Sequence, residues 1–549
     1  MEKRALIAVV LSLAILVLYQ EGLRHFYPPP AAGPEVGETP PIPSAPAPPT
    51  QRRESAAPSP APVAPAPMAP AAVPGVGERH VTVETDVYAA RFTSIGARLE
   101  SFQLKKYRTT VDPNSPLLET VVPGQGGELP FGVELRGGTQ AVTDAGMPYA
   151  VSTSGLHLTD VESGSLDFVG DANGVAIHKR FTFTGDRYEL TVGLQLNRVP
   201  PEYTEVGVSW FRTVDLRPPP GAPVLFDHAV FLDGRKLYED AFDKLSAGKI
   251  VTGDIVWSGF GGRYFLSANV PTESRSPRLW LKLRDLTVEQ TLLFPMPSGG
   301  AVTLPLEAYI GPKDFDRLEK IGHNLSRAIN LGWFGFIAVP LLHVLDFLNG
   351  FTGNYGVDII ILTVLIKVLF IPLTQRSFRS MREMQKLQPQ MTKIRERFKD
   401  DTEQMNKEIM ELYRRHKVNP LGGCLPMILQ IPVFIGLYSA LQNAVELRHA
   451  PFVLWINDLS APDRLGSLQL PFVQHPGLPV LTLLMGVSMF VQQWMSPSAG
   501  DPTQQRVMMV MPLMFTFMFV NFPSGLALYW LVNNVLTIAQ QYYINRTAT

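Results

Sequence analysis

Cysteine is almost missing from this chain: in 549 residues there is one, Cys424. No intrachain disulfide can form, so every part of the molecule must hold together by packing and hydrogen bonds. A formal net charge of -1 removes any global electrostatic reason to bind nucleic acid. Catalytic signatures are missing as well. There is no HExxH or paired CxxC metal spacing, no Gly-rich phosphate loop and no GxSxG elbow, and the 10 histidines are scattered. The expectation is a protein that is not an enzyme and carries neither metal nor cofactor.

What is present is arranged by region. Residues 5–19 are unbroken apolar sequence behind Lys3 and Arg4, and Gln20, Glu21 and Arg24 follow where a small-residue cleavage site would stand. Residues 1–24 therefore read as an uncleaved membrane anchor. Between positions 28 and 74 there are 17 prolines in 47 residues, mixed with alanine. Such a segment cannot build a core, so 25–78 is expected to be an extended, semi-rigid tether. From 79 to 318 apolar and polar residues alternate, as in Phe181 to Leu196, where Gly185 and Asp186 supply a hairpin turn. An antiparallel β-sandwich is expected, and about 230 residues suffice to bury a core without disulfides.

After residue 350 the sequence changes character. Four stretches carry almost no charge: 355–374, 420–445, 478–495 and 507–543. The last is too long for one crossing, and NFPSG at 521–525 breaks it in two. With the anchor this gives six spans, the later five at 353–374, 419–445, 478–495, 507–522 and 523–544. Residues 319–352 contain another apolar run, but Pro340, His343 and Asp346 favour a helix lying in the interface. Loop charge supports that count. The loop from 375 to 417 carries 12 Lys or Arg against 7 Asp or Glu, whereas 446–477 has only Arg448 and Arg464. Short basic loops stay in the cytoplasm, which puts 375–418 and 496–506 inside, and 446–477 and the β-domain outside.

The 375–418 loop reads as a helical hairpin. Met381, Met384, Leu387, Met391 and Ile394 recur at threes and fours on its first arm, and Met405, Ile409 and Leu412 on its second, giving one apolar seam. Pro389 should bend the first arm. Arg376, Arg379, Arg382, Lys393, Arg395 and Arg397 then form a basic face. Such a face is either a solvated connector or a docking surface for a ribosome, a targeting factor or a nascent chain. Residues 507–520 hold five methionines, Met508, Met509, Met511, Met514 and Met518, which serve ordinary lipid-facing packing or an adaptable apolar surface.

Lys367 is the anomaly within the spans. A lysine near the middle of a membrane helix costs about 2.5 to 3.5 kcal/mol on insertion scales. Asp358, the other charge in its span, lies about 13 Å away along the helix, and the remaining spans contain no acid. Snorkelling, a neutral amine and a wet cavity are all open as answers. Thr363, Gln430, Gln492, Gln493, Asn533 and Asn534 add polar groups to the same region.

Several motifs resemble one family, the YidC/Oxa group of membrane-protein insertases in its long Gram-negative form. They are YIGPKDFDRL at 309–318, GWFGFIAVPLLHVLDFLNGF at 332–351, LQPQM followed by RERFKDD, and VNPLGGCLPMILQIPVF at 418–434. VELRHAPFVLWINDLSAPD at 445–463, MSP at 495–497, DPTQQ at 501–505 and NFPSGLALYWLVNN at 521–534 complete the set. The resemblance implies a multi-span helical membrane protein in the bacterial inner membrane, with a large periplasmic β-sandwich similar to sugar-mutarotase folds. Fold likeness does not transfer that activity. It further implies that five spans enclose a hydrophilic groove, open to the cytoplasm and to lipid and closed towards the periplasm. Thr363 and Gln430 match polar groove positions, and Lys367 stands where the family usually has arginine. Tyr529 and Trp530 match an aromatic pair on an apolar slide, Trp530 in place of a common tyrosine, with Ile431 and Val433 beside them on the third span.

The implied function is insertion and chaperoning of nascent membrane proteins into the lipid bilayer, alone or with the Sec translocon. Members often end in a basic tail that aids ribosome contact, whereas this chain stops at NRTAT with only Arg546. Ribosome contact would then rest on the 375–417 hairpin. Two rival readings have less support. A transporter would need a second intramembrane charge and an inverted repeat, and five extra spans are excessive for anchoring a periplasmic carbohydrate enzyme.

Overall fold

The computed structural model describes residues 77–547 apart from 125, 139, 173, 216–223, 273–276, 298–299, 400, 417, 419–424, 469–475 and 496–501. The anchor at 1–24, almost all of the tether and Cys424 lie outside the described residues.

Among the described residues, twenty strands between His80 and Pro312 form sheets of nine, six and five strands. Alternation builds them. Val175–Thr184 and Glu189–Val199 pair antiparallel in the register Phe181↔Val192, and their buried positions recur at every second residue. The Gly185–Asp186 turn thus joins two neighbouring strands of the nine-stranded sheet. One pairing departs from the antiparallel expectation: His80–Glu84 runs parallel to Gly155–His157. A parallel neighbour needs a long connection, and 70 residues containing six other strands separate these two.

All three sheets contribute to one apolar core, with Phe92 and Phe102 from the five-stranded sheet, Trp257 and Phe181 from the nine-stranded, and Leu281 and Leu292 from the six-stranded. A buried charge cluster sits within it. Lys179 lies 2.6 Å from Asp144, whose other oxygen meets Arg98 at 3.1 Å.

Eight α-helices follow among the described residues. A short helix α1 (Phe315–Ile321) is N-capped by the Asp314 carboxylate, which accepts from the Arg317 N–H. Helix α2 (Gly335–Thr352) ends where Gly353 takes a left-handed conformation at φ 64°. Asn354 then caps α3 (Tyr355–Arg397), accepting from the N–H groups of Gly356 and Val357. At 43 residues α3 is about 64 Å long, twice the apolar thickness of a bilayer. It continues through Pro372 and Pro389 into the first arm of the hairpin. Helix α4 (Thr402–Arg415), capped by Asp401, is the second arm. Helices α5 (Leu425–Asn443), α6 (Val480–Met495), α7 (Pro502–Phe519) and α8 (Ser524–Thr547) complete the bundle.

Among the described helices, Gly335–Thr352 and Tyr355–Gln375 are long and apolar enough to cross a membrane, and Val480–Met495 and Met508–Phe519 are shorter apolar pieces. Length and composition alone therefore do not separate α2 from a span. Its surface shows more: Phe336, Phe347 and Phe351 are exposed, and Trp333 just before it is 96% exposed. Helix α8 is central, packing on α3 and α6, while α7 packs on α6 and α2 lies along α5 and α3.

Candidate functional site

Lys367 sits on the apolar part of α3, half-buried against α8. Its ammonium donates to Thr537 Oγ1 at 2.6 Å. The Thr537 hydroxyl in turn donates to the Asn533 carbonyl at 2.6 Å, one turn earlier on the same helix. Further along, the Gln540 amide donates to Thr374 Oγ1 at 2.9 Å and Arg382 donates to the Ile544 carbonyl at 2.5 Å. Partners rise in number together on both helices, so α3 and α8 run parallel with a polar seam between them. On the other flank of α8, the Asn534 amide donates to Ser488 Oγ of α6 at 3.0 Å. Thr537 is the partner that charge counting misses. A threonine one turn after Asn533 was legible as a polar pair on one face, but only the packing of α8 on α3 shows that it meets the lysine.

Thr363 is 1% exposed, and its hydroxyl donates to the Ile359 carbonyl at 2.6 Å within its own helix. Gln430 is half-buried, and its side chain interacts with Tyr529. Tyr529 is itself 2% exposed, so it offers almost no surface, whereas Ile431 is 50% exposed. Val433 is half-buried. Trp530 joins an aromatic cluster, with ring centroids 4.6 Å from Phe434 of α5 and 5.3 and 6.2 Å from Phe519 and Phe515 of α7. One side chain of α8 thus bridges α5 and α7. Met511, Met518 and Met509 of α7 are exposed.

In the hairpin, Met384, Leu387 and Met391 are buried, and the Tyr413 hydroxyl of α4 meets Met391 Sδ at 3.3 Å. Lys393 and Arg397 are exposed and Arg395 half-exposed, with the Arg397 guanidinium over the Phe398 ring. Arg382, assigned to the same basic face, is instead tied to the end of α8. The side chains of Arg376, Arg379 and Met381 lie outside the described residues.

At the opposite end of the bundle the chain is closed by polar clasps. Buried Asp358 of α3 accepts from the Asn349 amide at 2.9 Å and the Thr352 hydroxyl at 2.5 Å, both on α2. Ser524 at the start of α8 donates to the Asp458 carbonyl at 2.8 Å and, through its backbone, to Ala461. The 446–477 segment also touches the β-domain: Arg448 donates to the Arg108 carbonyl at 2.8 Å and lies over the Phe265 ring. The polar seam between α3 and α8 thus lies towards the hairpin, and the polar clasps lie at the other end of the bundle.

Comparison with known proteins agrees with this architecture. The family described as the 60Kd inner membrane protein matches residues 347–549, and the YidC periplasmic domain matches 80–344. The chain is 41% identical to the membrane protein insertase YidC of Syntrophobacter fumaroxidans, with all of both chains covered. It is 43% identical to the protein of that name from Geobacter sulfurreducens, covering 84% of this chain and 86% of that one. Among solved structures, an active YidC insertase with its first transmembrane domain resolved is 18% identical, covering 84% of this chain and 91% of the other at a TM-score of 0.37.

Proposed function

Because the chain belongs to the YidC family of membrane protein insertases, we propose that it receives nascent hydrophobic segments at the α3–α8 seam and releases them sideways into lipid. The observation that carries this reading is the half-buried Lys367 ammonium, hydrogen-bonded to neutral Thr537 and, among the described residues, in no ion pair with a carboxylate. A cation held this way in an apolar surrounding still attracts anionic groups strongly. The polar flank of a client enters partway, its acidic groups drawn to Lys367, and the apolar span leaves along the exposed face near Ile431. Transfer of apolar surface into lipid supplies the drive, so no nucleotide is needed.

The topology that serves this role puts the hairpin in the cytoplasm and the β-domain and the 446–477 segment in the periplasm, with α2 lying in the outer interface. The basic loop and the exposed aromatic residues of α2 support it. Nascent membrane proteins and the bilayer are then the immediate partners. Lys393 and Arg397, exposed at the hairpin, suit docking of a ribosome or targeting factor, and cooperation with the Sec translocon is part of the same reading.

Deleting residues 80–300 tests where the activity lies. With membrane assembly of the remainder confirmed, insertion of a small single-span client into liposomes should persist. Its loss would move the function into the β-domain.

A further inference from the structure

The hydrogen-bond direction at Lys367 is fixed by its neighbour. Thr537 has committed its only hydroxyl proton to the Asn533 carbonyl at 2.6 Å, so towards Lys367 it can only accept. It therefore offers a lone pair to a cation and nothing to an anion. At 7% exposure it is also out of reach of a passing client, whereas Lys367 is only half-buried. An ammonium has three N–H donors, and this contact uses one.

A lysine stem is flexible enough to carry its charge several ångströms along a helix towards water. A short charge-assisted bond to a side chain on a second, packed helix opposes that movement. Thr537 belongs to α8, which is tied to α3 again at Gln540 with Thr374 and at Arg382 with Ile544, so the acceptor does not drift relative to the lysine.

We propose that Thr537 is a positioning residue of the insertase, anchoring the Lys367 ammonium at one depth in the groove and leaving its other donors for a client carboxylate. The inference rests on the electrostatic reading of Lys367 and adds to it a reason why a lysine serves there. One acceptor is enough to hold an ammonium in place, where a guanidinium would present five donors in a rigid fork.

The test uses the full-length chain in liposomes and two forms of one single-span client, whose translocated tails differ only in carrying aspartates or asparagines. Protease protection of the tail reads insertion. Thr537→Val keeps the shape of the side chain and removes the acceptor. It should slow insertion of the aspartate tail about ten-fold, the scale of one hydrogen bond to a charged group, and leave the asparagine tail unaffected. Thr537→Ser should restore the aspartate tail, and in a Lys367→Ala background Thr537→Val should add nothing.

Equal loss for both tails would make Thr537 a packing residue and overturn the proposal, as would no loss for either. If Lys367→Ala slows the aspartate tail but Thr537→Val does not, the positioning role alone fails. If Lys367→Ala inserts both tails at the wild-type rate, the charge reading fails and the positioning role falls with it.

Discussion

Asp463 holds Thr482 twice, accepting from its hydroxyl at 2.9 Å and its backbone N–H at 3.4 Å, and it takes the Leu481 N–H at 2.7 Å as well. These are first-turn amides of α6, which the helix cannot satisfy itself. The next residue, Arg464, donates to the Val520 carbonyl and to Asn521 Oδ1, each at 3.0 Å. Two adjacent residues of one loop thus fasten the start of α6 to the turn between α7 and α8.

Replacing Asp463 by alanine removes the cap and should cost about 1–2 kcal/mol of stability, while asparagine, which keeps an acceptor, should cost less. Thermal unfolding of the full chain in lipid nanodiscs measures both. An alanine variant as stable as the parent would show that the clasp is incidental to the fold.

Exchange of the groove charge separates electrostatics from shape. Lys367→Arg should retain insertion of a client with an acidic external tail, Lys367→Ala should reduce it, and Lys367→Glu should be worst, because a buried carboxylate repels the client's own acids. Equal rates for all three variants would remove Lys367 from the mechanism while leaving the family assignment untouched.

The sequence showed most of this architecture where a local rule governs. Period-two alternation marked the strands around Gly185 and Asp186, and the two apolar repeats of the 375–418 loop fall on α3 and α4, the second arm capped by Asp401. The threes-and-fours pattern put Met384, Leu387 and Met391 on one buried seam. Contacts between distant segments were not legible, because no periodicity encodes them. Nothing in the sequence near residue 367 points to Thr537, 170 positions away. Nor does composition show that Thr363 returns its hydroxyl to its own helix, or that Tyr529 is buried while its neighbour Trp530 bridges two other helices. The parallel strand pair at Thr82 and Gly155 escaped for the same reason.

The buried cluster in the β-domain predicts an asymmetry between single and double changes. Burial alone would push the Asp144 carboxyl up, but Lys179 and Arg98 outweigh it and hold it below the usual carboxylate range. Lys179 is fully satisfied, donating to the carbonyls of Gly96 at 2.6 Å and Phe131 at 2.8 Å besides its ion pair. Lys179→Met strands much of a buried negative charge and should cost about 3–5 kcal/mol. Adding Asp144→Asn removes that stranded charge, so the double variant should be more stable than Lys179→Met alone. Calorimetry of the β-domain transition in the full chain decides this, and simple additivity of the two changes would count against the ion-pair account.

Where the β-domain meets the helices, acids crowd a cleft of about 860 Å³. Burial pushes the Glu446 carboxyl up to about 8, its own backbone hydrogen bond pulls the other way, and Asp346, Asp314 and Asp316 add repulsion. Burial, with the same two aspartates, raises Asp346 to about 6. A carboxyl whose folded value exceeds its unfolded one makes the native state bind more protons than the unfolded state, so stability falls as pH rises between the two values. For Glu446 that window runs from about 4.5 to about 8. Glu446→Gln removes the buried ionisation, so it should flatten the decline above pH 6 and raise the melting midpoint near pH 8 by on the order of 5 °C. Below pH 6 the slope should fall only in part, because Asp346 also supplies it. Melting curves of both proteins from pH 5 to 8.5 test the sign directly: a parent that gains stability with rising pH, or a variant with the same slope above pH 6, would mean that Glu446 is hydrated and unstrained at this junction.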